Sequence, residues 1–189
     1  MIEILLPGEE ASILAQAKDE SERDYFMILL ALNTGLRNSE LVLLNVRDFY
    51  DYGTVLKQLE LRKVTTKGQK PRTIPLALIV QEAFSNYMNW KFSTREPAGP
   101  DDPLFMSSRS KLRLGPRDFQ RIVKYYSEKT IRRSVHPHVL RHTFATKLLK
   151  KTNMRVVQEL LGHVRLSSTQ IYTHVSSADL YQAIEDLNR

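Results

Sequence analysis

The chain has 189 residues, of which 42% are hydrophobic and 26% are charged. A chain of this length and composition normally folds as one domain around a sizeable core. It contains no cysteine, which excludes disulfide bonds, thiolate metal sites and cysteine nucleophiles. Its net charge of +7 indicates a polyanionic partner, and nucleic acid is the first candidate.

The sequence carries no signal for membrane insertion. No apolar run approaches the roughly 18 residues that cross a bilayer. The first residues, MIEILLPGEEAS, are acidic where a secretory signal would be basic. We therefore expect a protein without membrane association that works in the cytoplasm.

The first two predicted helices differ in how much apolar surface they carry. One runs from Gly8 to Lys18 and is apolar on one side only. The next, Tyr25 to Asn33, is apolar almost all round, which is typical of a helix buried on most faces. We expect this second helix to form the centre of the core and to end at Gly35.

Arg37 is expected at a corner between two helices. The run Arg37-Asn38-Ser39-Glu40 begins a third helix that continues to Asp48. A side chain at such a corner can point into a cleft, and the free amides of the new helix add positive potential, which suits a phosphate. Taken alone, the arginine fits a solvated side chain at a turn better than a phosphate site.

The middle of the chain predicts strands. Residues from Phe49 to Leu76 alternate in part between apolar and polar, and Lys67-Gly68-Gln69-Lys70 makes a tight turn. We expect a small antiparallel three-stranded sheet with a basic hairpin tip. On residue type alone, Lys67 and Lys70 fit solubilising charges at a sheet edge.

Helices return after the sheet. The pattern predicts one helix from Leu78 to Phe92, a surface loop from Ser93 to Pro103, and another helix from Phe119 to Lys129. The most basic part of the chain lies around the start of the latter, at Arg109, Lys111, Arg113, Arg117 and Arg121. These side chains predict a rim that contacts DNA phosphates, with a merely solvated face as the alternative.

The carboxy-terminal third of the chain contains most of the candidate catalytic residues. Pro137 suits the first position of a helix, and His138 and Arg141, three residues apart, share one face of it. An acid, base or hydrogen-bond donor beside a bidentate cation is what a phosphodiester in a substitution transition state requires. A surface histidine and arginine would look the same in isolation.

A further helix, Met154 to Leu161, is predicted to stop at Gly162, which fixes His163 on a rigid corner. Tyr172 follows on a short helix. A tyrosine with an ordinary pKa near 10 is a poor nucleophile. Beside two arginines, however, its phenolate is stabilised and can attack phosphorus.

Five motifs together closely resemble the tyrosine recombinase (phage integrase) family, especially its Xer-like members. They occur in family order and extend from Thr34 to Val175: TGLRNSEL, TKGQKPRTIPL, HxxR at His138–Arg141, LGH at Leu161–His163, and the tyrosine of TQIYTHV. The resemblance implies a mainly α-helical α+β catalytic domain over residues 1–189.

The resemblance also implies a role for each motif residue. Arg37, Arg141 and His163 would hold the scissile phosphate, and His138 would hydrogen-bond it or assist proton transfer. Lys67 would protonate the departing 5′ oxygen, with Lys70 as the alternative.

Tyr172 would form a 3′-phosphotyrosine bond, so that neither ATP nor a metal ion is needed. Glu40 and His142 would support the site by orienting Arg37 and the cleft.

The partners implied are double-stranded DNA and further copies of the chain, which would form a tetramer on DNA. The tail, residues 176–189, has one apolar stripe; it would pack on its own core or be exchanged with a neighbouring protomer. Only 36 residues precede Arg37, so we expect the family's amino-terminal DNA-clamping domain to be absent, in an excised domain or a naturally short recombinase.

Two other functions share parts of this pattern. A type IB topoisomerase-like enzyme would relax DNA by the same chemistry, and a DNA-binding protein would have lost catalysis. The sequence leaves open whether recombination would serve integration, excision, dimer resolution or inversion.

Overall fold

The computed structural model describes residues 3–51, 53–61, 71–162 and 177–187. Within them the chain is mainly helical with short antiparallel strands, which confirms the predicted α+β class. The helices are α1 (Pro7–Glu20), α2 (Glu22–Thr34), α3 (Asn38–Val42), α4 (Leu78–Ser93), α5 (Pro116–Ile131), α6 (Pro137–Leu149), α7 (Met154–Leu161) and α8 (Ser177–Leu187). The strands are β1 (Tyr50–Asp51), β2 (Thr54–Val55), β3 (Gln58–Leu61) and β4 (Arg72–Pro75).

Helix α2 forms the centre of the core, as predicted. Its residues from Phe26 to Thr34 are all buried, and it packs against α1, α4 and α6. The Phe26 ring lies 5.4 to 5.9 Å from four other aromatic rings, those of Phe49, Phe84, Tyr87 and Phe105. Each such pair adds about 0.5–1.5 kcal/mol beyond its buried area, so this cluster fixes α2 against α4.

Helix α3 is much shorter than predicted. It ends at Val42 instead of continuing to Asp48, and a single 3-10 turn follows at Val46–Asp48. The reason is a segment distant in sequence: the carbonyl oxygen of Leu44 accepts hydrogen bonds from the Leu104 amide and the Arg113 guanidinium. These bonds replace helical ones, which a local pattern does not reveal.

The prediction of one three-stranded sheet was wrong. The described residues form two antiparallel pairs, β1 with β2 and β3 with β4. The segment between β2 and β3 changes its hydrogen-bonding partner between two adjacent residues. The Leu56 amide donates to the carbonyl oxygen of Phe49, whereas the carbonyl oxygen of Lys57 accepts from the Leu76 amide. Each described strand therefore has one neighbour. The predicted turn at Lys67 to Lys70 lies outside the described residues.

Helices α4 and α5 agree with their predicted positions, and the surface loop lies between them. Residues near the end of this loop are tied to the 3-10 turn, because the Val46 amide donates to the carbonyl oxygen of Asp102 and the Arg47 amide to that of Pro100. Helix α5 begins with Pro116 at its first position and packs on α1 and α3.

The carboxy-terminal helices close the fold around the end of α2. As predicted, α6 begins at Pro137 and α7 ends at Gly162, which has a φ of +63°. Helix α8 packs on α6, α7 and β4 of the same chain, and Ala183, Ile184 and Leu187 are buried there. Its exchange with a neighbouring protomer stays a prediction. Among the helices described, none has the length and apolar character needed to span a bilayer.

Gly35 allows α2, α6 and α7 to meet. Its φ is +60°, and a Cβ atom there would lie 2.4 Å from Cδ1 of Phe144 and 2.9 Å from Cδ2 of Leu161. Glycine alone combines an easily adopted left-handed backbone with so close an approach. The corner that carries Arg37 is thereby held directly against α6 and α7.

We expect Gly35→Ala to lower the free energy of unfolding by about 2–4 kcal/mol, because backbone strain and overpacking of the core add together. Urea unfolding followed by circular dichroism measures this change. Gly8→Ala is the matched control: Gly8 lies in α1, has no neighbouring atom within 4 Å of the added Cβ, and should lose no stability. Equal stability of the two variants would contradict the proposed packing role.

Candidate active site

Arg37 lies at the predicted corner, between the end of α2 and the start of α3. Glu40, three residues further on, accepts two hydrogen bonds from Arg37. The Arg37 backbone amide donates to Oε2 of Glu40 at 2.8 Å, and its Nη1 donates to Oε1 at 3.0 Å. One carboxylate thus binds both the backbone and the side chain of Arg37.

A second arginine shares the same carboxylate. Arg72, at the start of β4, donates from Nη1 and Nη2 to the two oxygens of Glu40 at 3.0 and 2.8 Å. The side chains of Arg72 and Glu40 are only 3% and 2% exposed. This is a bidentate ion pair inside the protein, and removing one partner of such a pair typically costs about 3–5 kcal/mol.

Glu40 is ionised despite its burial. Burial alone would raise the pKa of its carboxyl group, but the hydrogen bonds and charges of Arg72 and Arg37 lower the pKa below its ordinary value. The carboxylate therefore remains a stable acceptor for both arginines at neutral pH.

Arg141 reaches the same place from α6. Its Nη1 donates to the carbonyl oxygen of Gly35, and its Nη2 donates to that of Leu161 at 2.8 Å. Burial, and then the positive charges of Arg37 and Arg72, lower the pKa of Arg141 to about 10, while Glu40 opposes the shift. The group stays protonated at neutral pH, but in a crowded positive environment.

Arg72 and Arg141 also hold the end of α7. The Nε of Arg72 donates to the carbonyl oxygen of Leu160 at 2.9 Å, and Arg141 donates to the next carbonyl, that of Leu161. The last carbonyls of a helix have no partners within it and carry its negative dipole, so cations are favourable there. The two arginines consequently fix the corner at Gly162, which immediately precedes His163.

The resulting cluster has a surplus of positive charge. Among the described residues, three guanidinium groups, those of Arg37, Arg72 and Arg141, interact with one carboxylate, that of Glu40. An anion bound beside them would offset their mutual repulsion. Preorganised guanidinium groups of this kind stabilise the charge that develops on phosphoryl oxygens during substitution.

The two predicted histidines of α6 are both exposed. His138 lies in the first turn of the helix, one turn before Arg141, where it is accessible to a substrate. His142 is exposed as well, and none of the contacts described joins it to Arg37 or Arg141. Its predicted supporting role stays a prediction. Lys67, Lys70, His163 and Tyr172 lie outside the described residues.

The predicted basic rim divides into two groups. Arg109, Lys111, Arg117 and Arg121 are exposed. The Arg113 guanidinium instead points into the fold, donating to the carbonyl oxygens of Val42 and Leu44 and to Oδ1 of Asn45. Burial lowers the pKa of Arg113, in accordance with this position. Arg113 therefore anchors the end of α3, a role different from the predicted phosphate contact.

A basic concavity of about 300 Å³ lies between α5 and the start of α6, lined by Arg117, Gln120, Arg121, Lys124 and His136. Two links join the elements around it to those that carry the arginine cluster. Asn38 next to Arg37 donates to the carbonyl oxygen of Pro116, which starts α5. His136 directly precedes the helix that carries Arg141.

The sequence interpretation missed Arg72. The alternation of side chains along β4 could have indicated it. Arg72 and Ile74 lie on the same face of the strand, and both are buried. A charged residue at an inward-facing position of a strand requires a charged or hydrogen-bonding partner. Glu40 is that partner, but its distance in sequence hid the pair.

Comparisons with known proteins identify the family of the chain. The model of the phage integrase family matches residues 3–179. A tyrosine recombinase of Pseudothermotoga lettingae is 38% identical over 187 residues, which cover 98% of this chain and 60% of that protein.

Two solved structures have the same fold. The crystal structure of XerA recombinase matches with a TM-score of 0.72 and 32% identity, over 94% of this chain and 62% of that one. The Tn1549 transposon integrase in complex with a circular intermediate DNA matches with a TM-score of 0.65 and 26% identity, over 87% and 59%.

The chain spans less than two thirds of the length of each of these relatives. The family model nevertheless covers nearly all of it, including the corner of Arg37, the hairpin strands and the helix of Arg141. This chain belongs to the phage integrase family, and its fold is that of the catalytic domain of Xer-like tyrosine recombinases.

Proposed function

We propose that this chain is the catalytic domain of a site-specific tyrosine recombinase, which cleaves and rejoins double-stranded DNA through a phosphotyrosine intermediate. The observation that carries the proposal is the convergence of Arg37 and Arg141 on one place. Arg141 bonds to a carbonyl 106 residues away in sequence, beside the carboxylate that orients Arg37. Two guanidinium groups fixed in this way form a cradle for one phosphodiester.

In the first step, the Tyr172 oxygen attacks the scissile phosphorus and the bond from phosphorus to the 5′ oxygen breaks. Arg37 and Arg141 stabilise the charge that builds on the equatorial oxygens, and His163 would join them. His138 in the first turn of α6 can hydrogen-bond the same phosphate or accept the proton that the Tyr172 hydroxyl loses as it attacks. Lys67, or Lys70 in its place, donates the proton that the leaving 5′ oxygen needs.

In the second step, the 5′ hydroxyl of another DNA strand attacks the phosphotyrosine, and Tyr172 leaves with its proton restored. A phosphodiester is broken and a phosphodiester is formed, so the reaction conserves bond energy and requires no external source. Exchange of strands follows when the attacking hydroxyl belongs to a different duplex. Self-association to a tetramer on DNA, with α8 exchanged between protomers, would bring two duplexes together.

The exposed basic residues of the rim support DNA as the substrate. Arg117 and Arg121 line the concavity beside the cluster, where they can contact the phosphates that flank the scissile one. The likeness to XerA recombinase and to the DNA-bound Tn1549 transposon integrase supports the same substrate class.

We expect a nicked suicide DNA substrate to trap a covalent adduct on Tyr172, because loss of the short cleaved fragment prevents rejoining. The adduct is detected on a denaturing gel and mapped by mass spectrometry. Tyr172→Phe removes the nucleophilic oxygen and should abolish the adduct while leaving DNA binding intact.

Tyr181→Phe is the matched control for this measurement. Tyr181 lies on α8, where its hydroxyl group donates a hydrogen bond to Gln58. Loss of this hydroxyl group should not affect the yield of the covalent adduct. DNA drawn from the region flanking the gene, tested with both this chain and its full-length protein, provides the substrate. Tight binding of that DNA without any adduct would favour a DNA-binding function, and relaxation of supercoiled DNA without strand exchange would favour a topoisomerase.

We expect sulfate, which resembles phosphate in charge and shape, to raise the melting temperature more than sodium chloride of equal ionic strength. Its binding offsets the repulsion among the guanidinium groups, which adds to burial in lowering the pKa of Arg141 to about 10. Differential scanning fluorimetry should show a smaller gain for Arg37→Met, which lacks one of the binding charges.

Sulfate also stabilises proteins without specific binding, so a control variant is required. Arg95→Met removes an exposed arginine after α4, and sulfate should raise its melting temperature as much as that of the wild type. An equal gain in Arg37→Met and in the wild type would contradict an anion site at the cluster.

The two groups of rim residues should respond differently to substitution. Replacing both Arg117 and Arg121 by alanine should weaken DNA binding and reduce the slope of log K against log salt by about 2, since each lost phosphate contact contributes about 1. Arg113→Ala should leave that slope unchanged and lower the stability instead, because Arg113 anchors α3. Fluorescence anisotropy at several salt concentrations and urea unfolding measure the two effects. A changed slope for Arg113→Ala would overturn its assignment as an anchor.

A further inference from the structure

Arg72 belongs to none of the groups that would touch the DNA in the proposed reaction. Its side chain is 3% exposed, and three of its N–H groups are used inside the protein. A guanidinium in that position cannot reach a scissile phosphate without leaving its partners. Any part that Arg72 plays in the reaction must act through those partners.

The partners of Arg72 lie on two different parts of the site. Two N–H groups hold Glu40, which in turn holds the backbone and side chain of Arg37. The third holds Leu160 in the last turn of α7. Arg72 itself starts β4, the strand that follows Lys67 in the sequence. One side chain thus connects the arginine corner, the hairpin strand and the helix that precedes His163.

We propose that Arg72 is a positioning residue of the recombinase site. It sets the distance between Arg37 and the end of α7, so that groups from both elements meet one phosphate. The inference rests on the proposed function, because it describes how that site is held in register for cleavage.

The shape of the guanidinium makes arginine necessary here. A planar fork presents parallel N–H groups to a carboxylate and a further N–H at its side, whereas a lysine ammonium is a single point of charge. The side chain also lies flat against Gly162: a Cβ atom there would come within 2.9 Å of Nη1 and 3.0 Å of Cδ of Arg72. The corner before His163 is therefore packed directly on Arg72.

A second buried cation shows what a purely structural pair would look like. Lys91 on α4 is fully buried and pairs with Glu96 at 3.4 Å, over the ring of Tyr87. The contacts described for it join none of the segments that carry the arginine cluster. Replacing Lys91 should thus affect stability alone, which makes it the matched control for Arg72.

The test compares Arg72→Lys, Arg72→Met and Lys91→Met in single-turnover cleavage of the suicide DNA at saturating protein. We expect both Arg72 variants to cleave about 10- to 100-fold more slowly, the size of effect that a small misplacement of reacting groups produces. Their affinity for the DNA should stay within about 2-fold of the wild type, since Arg72 is buried away from it. Lys91→Met should cleave at the wild-type rate at a temperature where it remains folded.

The variant Arg72→Lys decides between positioning and mere charge neutralisation. It keeps the positive charge beside Glu40 but loses the fork, so a wild-type rate in this variant would overturn the inference. A loss of rate in Lys91→Met as large as that in the Arg72 variants would overturn it as well, because the effect would then follow stability. If the wild type itself forms no adduct, the proposed function is overturned, and the inference that rests on it is overturned with it.

Arg72→Met leaves the Glu40 carboxylate buried without its main partner, which threatens folding. The double variant Glu40→Gln with Arg72→Met removes both charges and keeps the inference testable. If Arg72 acts through Glu40, the double variant should be no slower than the slower single variant. Additive losses of rate would show that the two residues act independently and would contradict the inference.

Discussion

A carboxylate removed from water remains charged only when enough donors surround it, and this requirement organises the site. Glu40 accepts hydrogen bonds from Arg37 and Arg72, and their positive charges keep its pKa low in spite of burial. The same carboxylate keeps two arginines close together that would otherwise repel each other. With Arg141 added, the described cluster holds more positive than negative charge, and in the proposed reaction a phosphodiester would offset it.

The scaffold delivers these charges through the ends of its helices. Helix α2 is immobilised by the aromatic cluster around Phe26, so its terminus at Gly35 is a fixed point. Arg141 from α6 bonds to that terminus and to the last turn of α7, while Arg72 bonds to the same turn from β4. Rigid elements of this kind are the support that a catalytic constellation needs, because its groups must be held to a fraction of an ångström.

Much of this arrangement was predictable from the sequence, and the remainder depended on distant contacts. The core helix, the glycine stops at Gly35 and Gly162, and the corner of Arg37 follow from local patterns and agree with the structure. The early end of α3 and the inward position of Arg113 do not follow from local patterns. Both arise from hydrogen bonds between the end of α3, with the residues just after it, and the segment after Pro103. The same limit hid Arg72, whose partners lie 32 and 88 residues away.

The sequence separation of these contacts has a consequence for biosynthesis. The cluster requires Gly35 and Glu40 from the first quarter of the chain, but the carbonyls of Leu160 and Leu161 come from its last quarter. A nascent chain that has emerged only as far as α5 therefore contains Arg37 without the helix that would complete its phosphate cradle. If the chain cleaves DNA as proposed, that ability would be acquired only once α6 and α7 have been translated and folded, and chains that stop before these helices would bind DNA at most and leave it unbroken.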